Sequence, residues 1–468
     1  MYIEQIYTKC LAEASYYVES NGEALIIDPI REVQSYINMA NERGAKIKYI
    51  FETHFHADFV SGHIDLAKKT GATIVYGPTA KTGYETYEAK DGEVFNLGEI
   101  TLEVLHTPGH TPESSTFLLK DKDGKDHCVF TGDTLFIGDV GRPDLAVKGN
   151  LTREDLAGMM YDSLRNKIMP LADEVIVYPG HGAGSSCGKN LSTETVSSIG
   201  EQKATNYALQ NISKEEFIKE LTTGILPPPQ YFPQAAMKNK NGYEAIDDVL
   251  SSGNKALTID EVLEKQKNGA LILDVRNKYE FPKGFIPNSW FIGLDGSFAM
   301  WVGAMISDMN QKIIVLTEEG REEEAAIRLA RVGYDNCIGY VKGGFEAYKN
   351  SGNPIDSFES IVPEEMKKRI PLDNTKVLDV RKPGEFSAEH VEDAITCPLD
   401  YMTSSDSLEK LDKNTNYLVH CKSGFRSLIA ASILKSKGFN NVVDIDGGIQ
   451  AILESDIKTT DFVCPSTL

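Results

Sequence analysis

The carboxyl-terminal half of this 468-residue chain repeats itself. "LILDVRNKYEFPKGFIPNS" from residue 271 matches "KVLDVRKPGEFSAEHVEDA" from residue 376, and "IIVLTEEGREEEAAIRLARVGY" matches "YLVHCKSGFRSLIAASILKSKGF". In each copy an apolar run is followed by a turn and a helical pattern, which indicates an α/β unit. The repeat therefore predicts two consecutive copies of one α/β domain of roughly 100 residues each.

The half that precedes the repeat has a layered α/β pattern of its own. The apolar runs "EALIID", "IKYIFET", "ATIVYG", "ITLEVLHT", "HCVFTGD" and "EVIVYPGHG" alternate with turns and helical stretches. A helix-like segment and the Pro-rich "ILPPPQYFP" then indicate a connector. We expect a first domain at 1–205, a connector at 206–254, and repeat domains at 255–355 and 356–468.

Composition argues against several classes of partner and location. A formal charge of -21 and a pI near 4.9 would repel nucleic acid and anionic lipid. We expect a cytoplasmic protein, because the sequence shows neither a secretory start nor an apolar run of about 18 residues. The seven cysteines are irregularly spaced, which does not suggest a disulfide framework.

Metal-ligating residue types follow several of the apolar runs in the first half. A lone histidine is usually structural, but the ordered patterns H-x-H-x-D, T-P-G-H, T-G-D and P-G-H-G together indicate a metal site. The residues in these patterns are His54, His56, Asp58, His110, Asp133 and His181.

These motifs resemble the metallo-β-lactamase superfamily, whose fold is an αββα sandwich with metals at its strand ends. In two-zinc members, a third histidine of the first motif helps to hold the second metal. Phe59 stands at that position and cannot bind a metal, so one metal is favoured. If His54, His110 and Asp133 bind it, two imidazoles and one carboxylate leave open positions of the kind used by non-haem Fe(II).

The stretches "THFHADFVSGH", "TPGHTPESSTFLL" and "FTGDTLFIGDVGRPDL" look more specifically like the persulfide dioxygenase branch. The resemblance implies that His54, His110 and Asp133 hold iron, and that a thiol persulfide and oxygen give sulfite and the free thiol. The residue matching His56 does not bind the metal in that branch. We therefore expect His56 to support the ligands or to act as an alternative ligand.

Five further residues are expected to support the ligands or the substrate. Asp58 either hydrogen-bonds a ligand imidazole or serves as a turn carboxylate, and His181 joins this supporting set. Arg142 and Asp144 either shape the site, with Arg142 meeting an anionic thiol carrier, or form a surface ion pair. Cys187 lies among small residues that predict an accessible thiol, which either relays sulfur or is an unreactive loop cysteine.

The second repeat carries a cysteine on a tight loop between a strand and a helix. Backbone N–H groups and the helix start would stabilise the Cys421 thiolate, which makes Cys421 a nucleophile candidate. Arg426 closes the six-residue loop and adds a fixed cation. The loop resembles that of rhodanese sulfurtransferases and is one residue shorter than in related phosphatases, which favours sulfur transfer. The other loop residues are Lys422, Ser423, Gly424 and Phe425.

The first repeat has Thr317 at the position of Cys421. No neighbouring residue looks like a base for this threonine, and the surrounding glutamates would repel a sulfur anion. We expect this copy to be catalytically silent. Its role as a spacer, a docking surface or a dimerisation element stays open.

The order of the domains resembles bacterial fusions of persulfide dioxygenase and rhodanese. The resemblance implies sulfide detoxification with one Fe(II) per chain. It also implies a low-molecular-weight thiol persulfide, O2 and thiosulfate or sulfite as reactants, and an assembly of two or four chains. The carrier thiol and the direction of the rhodanese step stay open.

Two other functions remain as alternatives. A zinc-dependent thioester hydrolase of the glyoxalase II kind, fused to a sulfur carrier, would need activated water and commonly a second metal, which Phe59 disfavours. A sulfur-trafficking protein with a structural metal is disfavoured by the excess of ligating groups.

Overall fold

The computed structural model describes residues 1–147, 151–403 and 406–464. The chain divides into two compact units, of which the first holds Met1–Asp247 with Ala330–Gly333 and the second holds the rest of the chain. The division into 1–205, 206–254, 255–355 and 356–468 stays a prediction.

The first unit contains two six-stranded sheets and their covering helices. One sheet has the order β1-β2-β3-β4-β5-β6 and the other β12-β11-β10-β9-β8-β7. The strands are β1 (Tyr2–Thr8), β2 (Glu13–Ser20), β3 (Glu23–Ile27), β4 (Lys46–Glu52), β5 (Thr73–Tyr76), β6 (Tyr87–Glu88), β7 (Val94–Leu97), β8 (Ile100–His106), β9 (Ser115–Lys120), β10 (Asp126–Gly132), β11 (Ile176–Pro179) and β12 (Ser197–Ser198). The helices are α1 (Gln34–Arg43), α2 (His63–Thr70), α3 (Arg153–Ser163) with a π-helical turn at Leu164–Ile168, α4 (Ile199–Thr205), a 3₁₀ turn at Tyr207–Leu209, α5 (Lys214–Thr222) and α6 (Phe232–Asn241).

The two sheets face each other across a core of aromatic and aliphatic side chains. Tyr16 and Phe51 of the first sheet and Phe117 and Phe130 of the second belong to one buried cluster. A second cluster joins the outer face of the second sheet to α3 and α5. The predicted αββα sandwich is therefore confirmed.

Local sequence signals set the starts of the helices behind the second sheet. Thr152 caps α3 and Ser213 caps α5, each in a capping box with an acidic side chain three residues later. Helices α5 and α6 lie within the predicted connector, and both belong to the first unit.

The second unit contains two five-stranded parallel sheets with the same strand order. They run β13-β17-β16-β14-β15 and β18-β22-β21-β19-β20. The first copy has β13 (Ala256–Leu257), α8 (Ile259–Lys267), β14 (Leu271–Asp274), a 3₁₀ turn at Phe281–Lys283, β15 (Trp290–Phe291), α9 (Phe298–Met305), β16 (Ile313–Leu316), α10 (Glu322–Arg331), β17 (Cys337–Val341) and α11 (Gly344–Asn350), after α7 (Ile246–Gly253). The second has β18 (Glu359–Ile361), α12 (Pro363–Arg369), β19 (Thr375–Asp379), α13 (Pro383–Ala388), β20 (Ile395–Thr396), a 3₁₀ turn at Leu399–Tyr401, β21 (Asn416–His420), α14 (Arg426–Ser436), β22 (Val442–Ile445) and α15 (Gly448–Leu453).

The two copies also share a buried ion pair in the matched "LDVR" motif. Arg276 forms a bidentate pair with Asp274, and Arg381 forms the same pair with Asp379. These pairs and the common strand order confirm the internal repeat that the sequence predicted. Among the described residues, no helix combines the length and the apolar character needed to cross a bilayer.

Candidate functional site

The predicted metal-ligating residues of the first unit converge at the ends of four strands. His54 follows β4, His110 follows β8, Asp133 follows β10 and His181 follows β11, and all four side chains are buried. Ligand atoms of His54, His110 and Asp133 lie within 4.8 Å of one another. His110 Nε2 is 3.4 Å and His54 Nε2 3.9 Å from Asp133 Oδ2. The structure thus brings together the three residues predicted to hold iron.

The hydrogen bonds at Nδ1 fix which nitrogen of each imidazole can bind a metal. His110 Nδ1 is 2.8 Å from the Arg142 carbonyl oxygen, which can only accept, so Nδ1 carries the proton. Thr53 Oγ1 donates to Asp28, and its oxygen therefore accepts from His54 Nδ1 at 2.9 Å. In both rings Nε2 is left with a lone pair directed toward Asp133.

The tautomer of His181 is fixed in the same way, because its Nδ1 donates to the Ala12 carbonyl at 3.1 Å. Its Nε2 lies 3.4 Å from Asp58 Oδ2 and 3.5 Å from Asp133 Oδ1. Within the described ranges of the chain, neither His181 Nε2 nor the carboxylate oxygens of Asp58 and Asp133 have a hydrogen-bond partner. Buried polar atoms without partners are costly, and a metal cation would satisfy them.

The donor set therefore fits a metal ion. Burial and the neighbouring imidazoles hold the pKa of His54 well below its usual range, which keeps it neutral for ligation. Three further groups of donors lie close by, His56–Asp58–His181, Asp133–His181–Cys187 and Asp28–Glu52–His56.

His56 lies beside the convergent donors but is turned toward carboxylates. Its Nε2 is 3.1 Å from Asp28 Oδ1 and 3.7 Å from Glu52 Oε2. Burial alone would lower the pKa of His56, but the Asp28 and Glu52 carboxylates outweigh it and raise the pKa to about 10. Phe59 is fully buried and packs on this ring, with centroids 4.4 Å apart. His56 is thus held from both sides.

Arg142 and Asp144 form a bidentate ion pair, with distances of 2.7 and 2.8 Å. The alternative that placed this pair on the surface is wrong, because the Arg142 side chain is 7% exposed. Its remaining donors reach the carbonyl oxygens of Ser186 and Leu226. Because the Arg142 carbonyl accepts from His110, the ion pair anchors the backbone that orients that imidazole.

The prediction of an accessible Cys187 thiol is wrong. Cys187 is only 1% exposed. Burial and the nearby Asp58 and Asp133 carboxylates raise the pKa of the thiol well above its usual range. The side chain therefore lies against the metal donors as a neutral thiol.

Two residues that position the site gave no signal in the sequence. Asn239 of α6 is fully buried, and its Nδ2 donates to the carbonyl oxygens of His56 and Phe59 at 2.7 Å each. Its Oδ1 accepts from Ser61 N at 2.9 Å. Asp28 accepts from Thr53 N and Oγ1 and so supports His54. An asparagine 180 residues from the loop it holds has no recognisable spacing.

In the second repeat, the Cys421 loop follows β21 and leads into α14. Gly424 N donates to Cys421 Sγ at 3.2 Å, and the Ser427 hydroxyl lies 3.5 Å from the same sulfur. Gly424 has φ of +81°, a left-handed conformation that lets its N–H face the sulfur. Lys422 and Ser423 are exposed, whereas Phe425 is half-buried. The loop thus offers hydrogen-bond donors to a sulfur anion.

The predicted cation of this loop has a counter-charge. Arg426 forms a bidentate pair with Glu385, at 2.7 and 2.8 Å. Thr317 stands at the matching place in the first copy, after β16, and Glu280 at the place of Glu385 pairs with Lys283 instead. The first copy therefore lacks both the sulfur and the arginine pair of the second.

Comparisons with known proteins find the same order, a metallo-β-lactamase part followed by two rhodanese-like domains. The model for the metallo-beta-lactamase superfamily matches residues 8–181, and the model for the rhodanese-like domain matches 258–351 and 362–455. Persulfide dioxygenase ETHE1, mitochondrial, of Bos taurus is 30% identical over 218 residues, which are 46% of this chain and 78% of that protein. A probable hydroxyacylglutathione hydrolase, glo2, of Schizosaccharomyces pombe is 36% identical over 172 residues, covering 36% of this chain and 62% of that protein.

A solved structure supports the same conclusion. The crystal structure of a metallo-beta-lactamase from Staphylococcus aureus subsp. aureus COL has 34% sequence identity and a TM-score of 0.64. The match covers 73% of this chain and 98% of that one. The chain is thus an enzyme of the metallo-β-lactamase superfamily, in which a domain of the persulfide dioxygenase type is fused to two rhodanese-like domains.

Proposed function

We propose that the first domain is a non-haem Fe(II) persulfide dioxygenase with one iron per chain, held by His54, His110 and Asp133. The observation that carries the proposal is the pair of fixed tautomers, which direct the bare Nε2 atoms of both histidines to the Asp133 carboxylate. Two imidazoles and one carboxylate on one side of an ion suit Fe(II) that must accept further ligands.

Bound Fe(II) would supply open coordination positions and the redox chemistry needed to oxidise the sulfane sulfur of a thiol persulfide to sulfite. The residues around the three ligands hold them in place. Thr53 fixes the ring of His54, and the Arg142 carbonyl fixes that of His110. Beside Asp133, Asp58 offers a carboxylate oxygen and His181 offers the lone pair of Nε2. These two side chains can orient substrate or water.

We further propose that Cys421 transfers sulfane sulfur. The Cys421 thiolate attacks the outer sulfur of a persulfide, the sulfur–sulfur bond breaks, and the carrier leaves as its thiolate. Sulfite then attacks the outer sulfur now on Cys421, giving thiosulfate and restoring the cysteine. The reverse sequence would begin with thiosulfate. The Gly424 N–H and the Ser427 hydroxyl, which lie at the sulfur, support this role.

The test is oxygen uptake by the anaerobically purified chain, with iron and zinc assayed in the same sample. Adding glutathione persulfide or coenzyme A persulfide is expected to give rapid uptake with about one iron per chain and sulfite or thiosulfate as product. No uptake from an iron-loaded sample with either persulfide would contradict the proposal.

The second candidate is a zinc-dependent thioester hydrolase. The observation that favours it is the additional donor group His56–Asp58–His181, since a second metal commonly serves activated-water chemistry. The hydroxyacylglutathione hydrolase relative points the same way. Two zinc ions per chain together with hydrolysis of S-lactoylglutathione, and no oxygen uptake, would select this candidate.

A further inference from the structure

A cavity of about 190 Å³ lies between the two rhodanese-like copies, beside the Cys421 loop. The second copy contributes Gly424 and Asp444 to its lining, and the first copy contributes Lys278 and Tyr279. Gly424 N donates to Cys421 Sγ at 3.2 Å, so the cavity adjoins the loop that holds the nucleophilic sulfur. Its volume is that of about six water molecules, which is enough for a small amino acid.

Hydrogen bonds hold the first copy against the helix that follows the Cys421 loop. Phe291 N donates to Ser432 Oγ, and Trp290 Nε1 donates to Ser436 Oγ, each at 2.9 Å. Both donors lie on β15 of the first copy, and both serines lie on α14 of the second. The copy that has no cysteine in its loop is thereby positioned to form one wall of the cavity.

Asp444 places an unsatisfied acceptor on the wall from the second copy. It lies on β22 and is 1% exposed. Its Oδ2 accepts from the Ser360 hydroxyl at 2.6 Å, whereas its Oδ1 has no hydrogen-bond partner among the described residues. Burial raises the pKa of Asp444 to about 6, so the carboxyl is still mostly ionised slightly above neutral pH. Asp446 lines the same cavity and adds a second carboxylate. A buried carboxylate oxygen without a partner would be satisfied by a donor on a ligand.

Lys278 supplies the opposite charge on the wall from the first copy. Its ammonium lies 4.8 Å from the centroid of the Tyr279 ring and forms no ion pair within the described ranges of the chain. Lys283, the other lysine of the lining, is already paired with Glu280 at 2.6 Å. The cavity therefore offers a carboxylate oxygen of Asp444 and the ammonium of Lys278 to a ligand that carries both charges.

We propose that this cavity binds the amino-acid end of the carrier thiol that exchanges sulfur with Cys421. The ammonium group of the carrier donates to Asp444 Oδ1, and its carboxylate pairs with Lys278. Cysteine and related thiols with free α-amino and α-carboxyl groups carry both charges, whereas the thiol arm of coenzyme A has neither group near its sulfur. The inference rests on the proposed sulfur transfer by Cys421 and deepens it by naming the class of carrier.

The exchange itself needs no further reactant. The bound thiol loses its proton to water, and its thiolate attacks the outer sulfur of the Cys421 persulfide. The sulfur–sulfur bond breaks, Cys421 leaves as a thiolate, and the carrier becomes the persulfide. The reverse step loads Cys421 from a carrier persulfide. Asp444 and Lys278 take no part in the bond changes, because they only hold the carrier beside the loop.

The experiment measures thiosulfate:thiol transfer by the full-length protein with three acceptors. These are cysteine, N-acetylcysteine, which lacks the ammonium group, and cysteamine, which lacks the carboxylate. The readout is kcat/KM for cysteine relative to each analogue, because a general loss of activity cancels in this ratio. Asp444→Asn is expected to lower the ratio of cysteine to N-acetylcysteine about tenfold, the effect of one hydrogen bond to a charged group. Lys278→Met should lower the ratio of cysteine to cysteamine instead.

The matched control is Lys376→Met, which removes an exposed cation on β19 of the second copy and should keep both ratios. Lys278→Met carries the test if circular dichroism shows that Asp444→Asn does not fold. If the two variants have the ratios of the wild type, the cavity does not bind the carrier and the inference fails. A wild type that transfers sulfur to none of the three thiols, or a Cys421→Ser variant that still transfers it, would refute the proposed function instead.

Discussion

Asn239→Ala tests whether the segment beyond the sandwich holds the metal-binding loop in place. The side chain makes three buried hydrogen bonds, to the carbonyl oxygens of His56 and Phe59 and from Ser61 N. At about 1 kcal/mol each, their loss destabilises the closed loop by about 3 kcal/mol, and unpaired buried backbone groups would add to this. Because about 1.4 kcal/mol changes an equilibrium constant tenfold, the equilibrium constant for local opening of the loop should rise about 10²-fold.

Hydrogen exchange of the iron-free protein, followed in peptides that cover residues 54–63, measures that opening directly. The control is Asn241→Ala, which removes an exposed asparagine two residues later in the same helix. Iron affinity should fall in parallel, since only the closed loop presents His54 correctly. If exchange in residues 54–63 is the same in Asn239→Ala as in Asn241→Ala, the loop does not depend on Asn239 and the reasoning is refuted.

Three further predictions concern the rhodanese-like domains. Cys421→Ser should abolish thiosulfate:thiol transfer and leave oxygen uptake on added persulfide unchanged; loss of both rates would argue against separate sites. Thr317→Ala should change neither rate, and a large loss of transfer would show that the first copy takes part in catalysis. Burial would raise the pKa of Glu385, but the ion pair with Arg426 outweighs burial and lowers it. The pair therefore stabilises the fold at pH values above the unfolded pKa of about 4.3. This stabilisation is lost as the pH falls through the lower pKa of the folded state. Glu385→Gln should lack this acid-dependent loss in thermal unfolding scans between pH 6 and 3, and an unchanged pH dependence would count against the pair.

Sequence patterns predicted those parts of the molecule that depend on residues near one another in the chain. The repeat placed Thr317 and Cys421 at equivalent positions, and the structure has both directly after equivalent strands. The convergence of His54, His110 and Asp133 followed from their places at strand ends. Such features need only the period of the apolar runs and the position of the residue that follows each run.

Features that depend on distant packing could not be predicted in this way. Asn239 reaches His56 across 183 residues, and Asp444 reaches Ser360 across 84. The error at Cys187 has the same origin, because small residues make a loop flexible in isolation but also allow close packing once a sandwich is present. The residue types of the Cys187 loop can be read from the sequence, whereas the burial of the thiol depends on the residues that pack over it.

The position and packing of Phe59 bear on how many metal ions the site can hold. It takes the place of a possible third histidine ligand, and its ring packs on His56. Asp28 holds the opposite side of that imidazole through Nε2. Two features thus weaken the donor group His56–Asp58–His181 as a second metal site. An apolar ring stands where a third histidine could bind, and His56 is already paired with a carboxylate. Asp58 and His181 remain beside Asp133 with unpartnered atoms, as far as the described residues extend. That arrangement favours one metal with polar side chains next to it, which suits a dioxygenase better than a hydrolase that requires two metals.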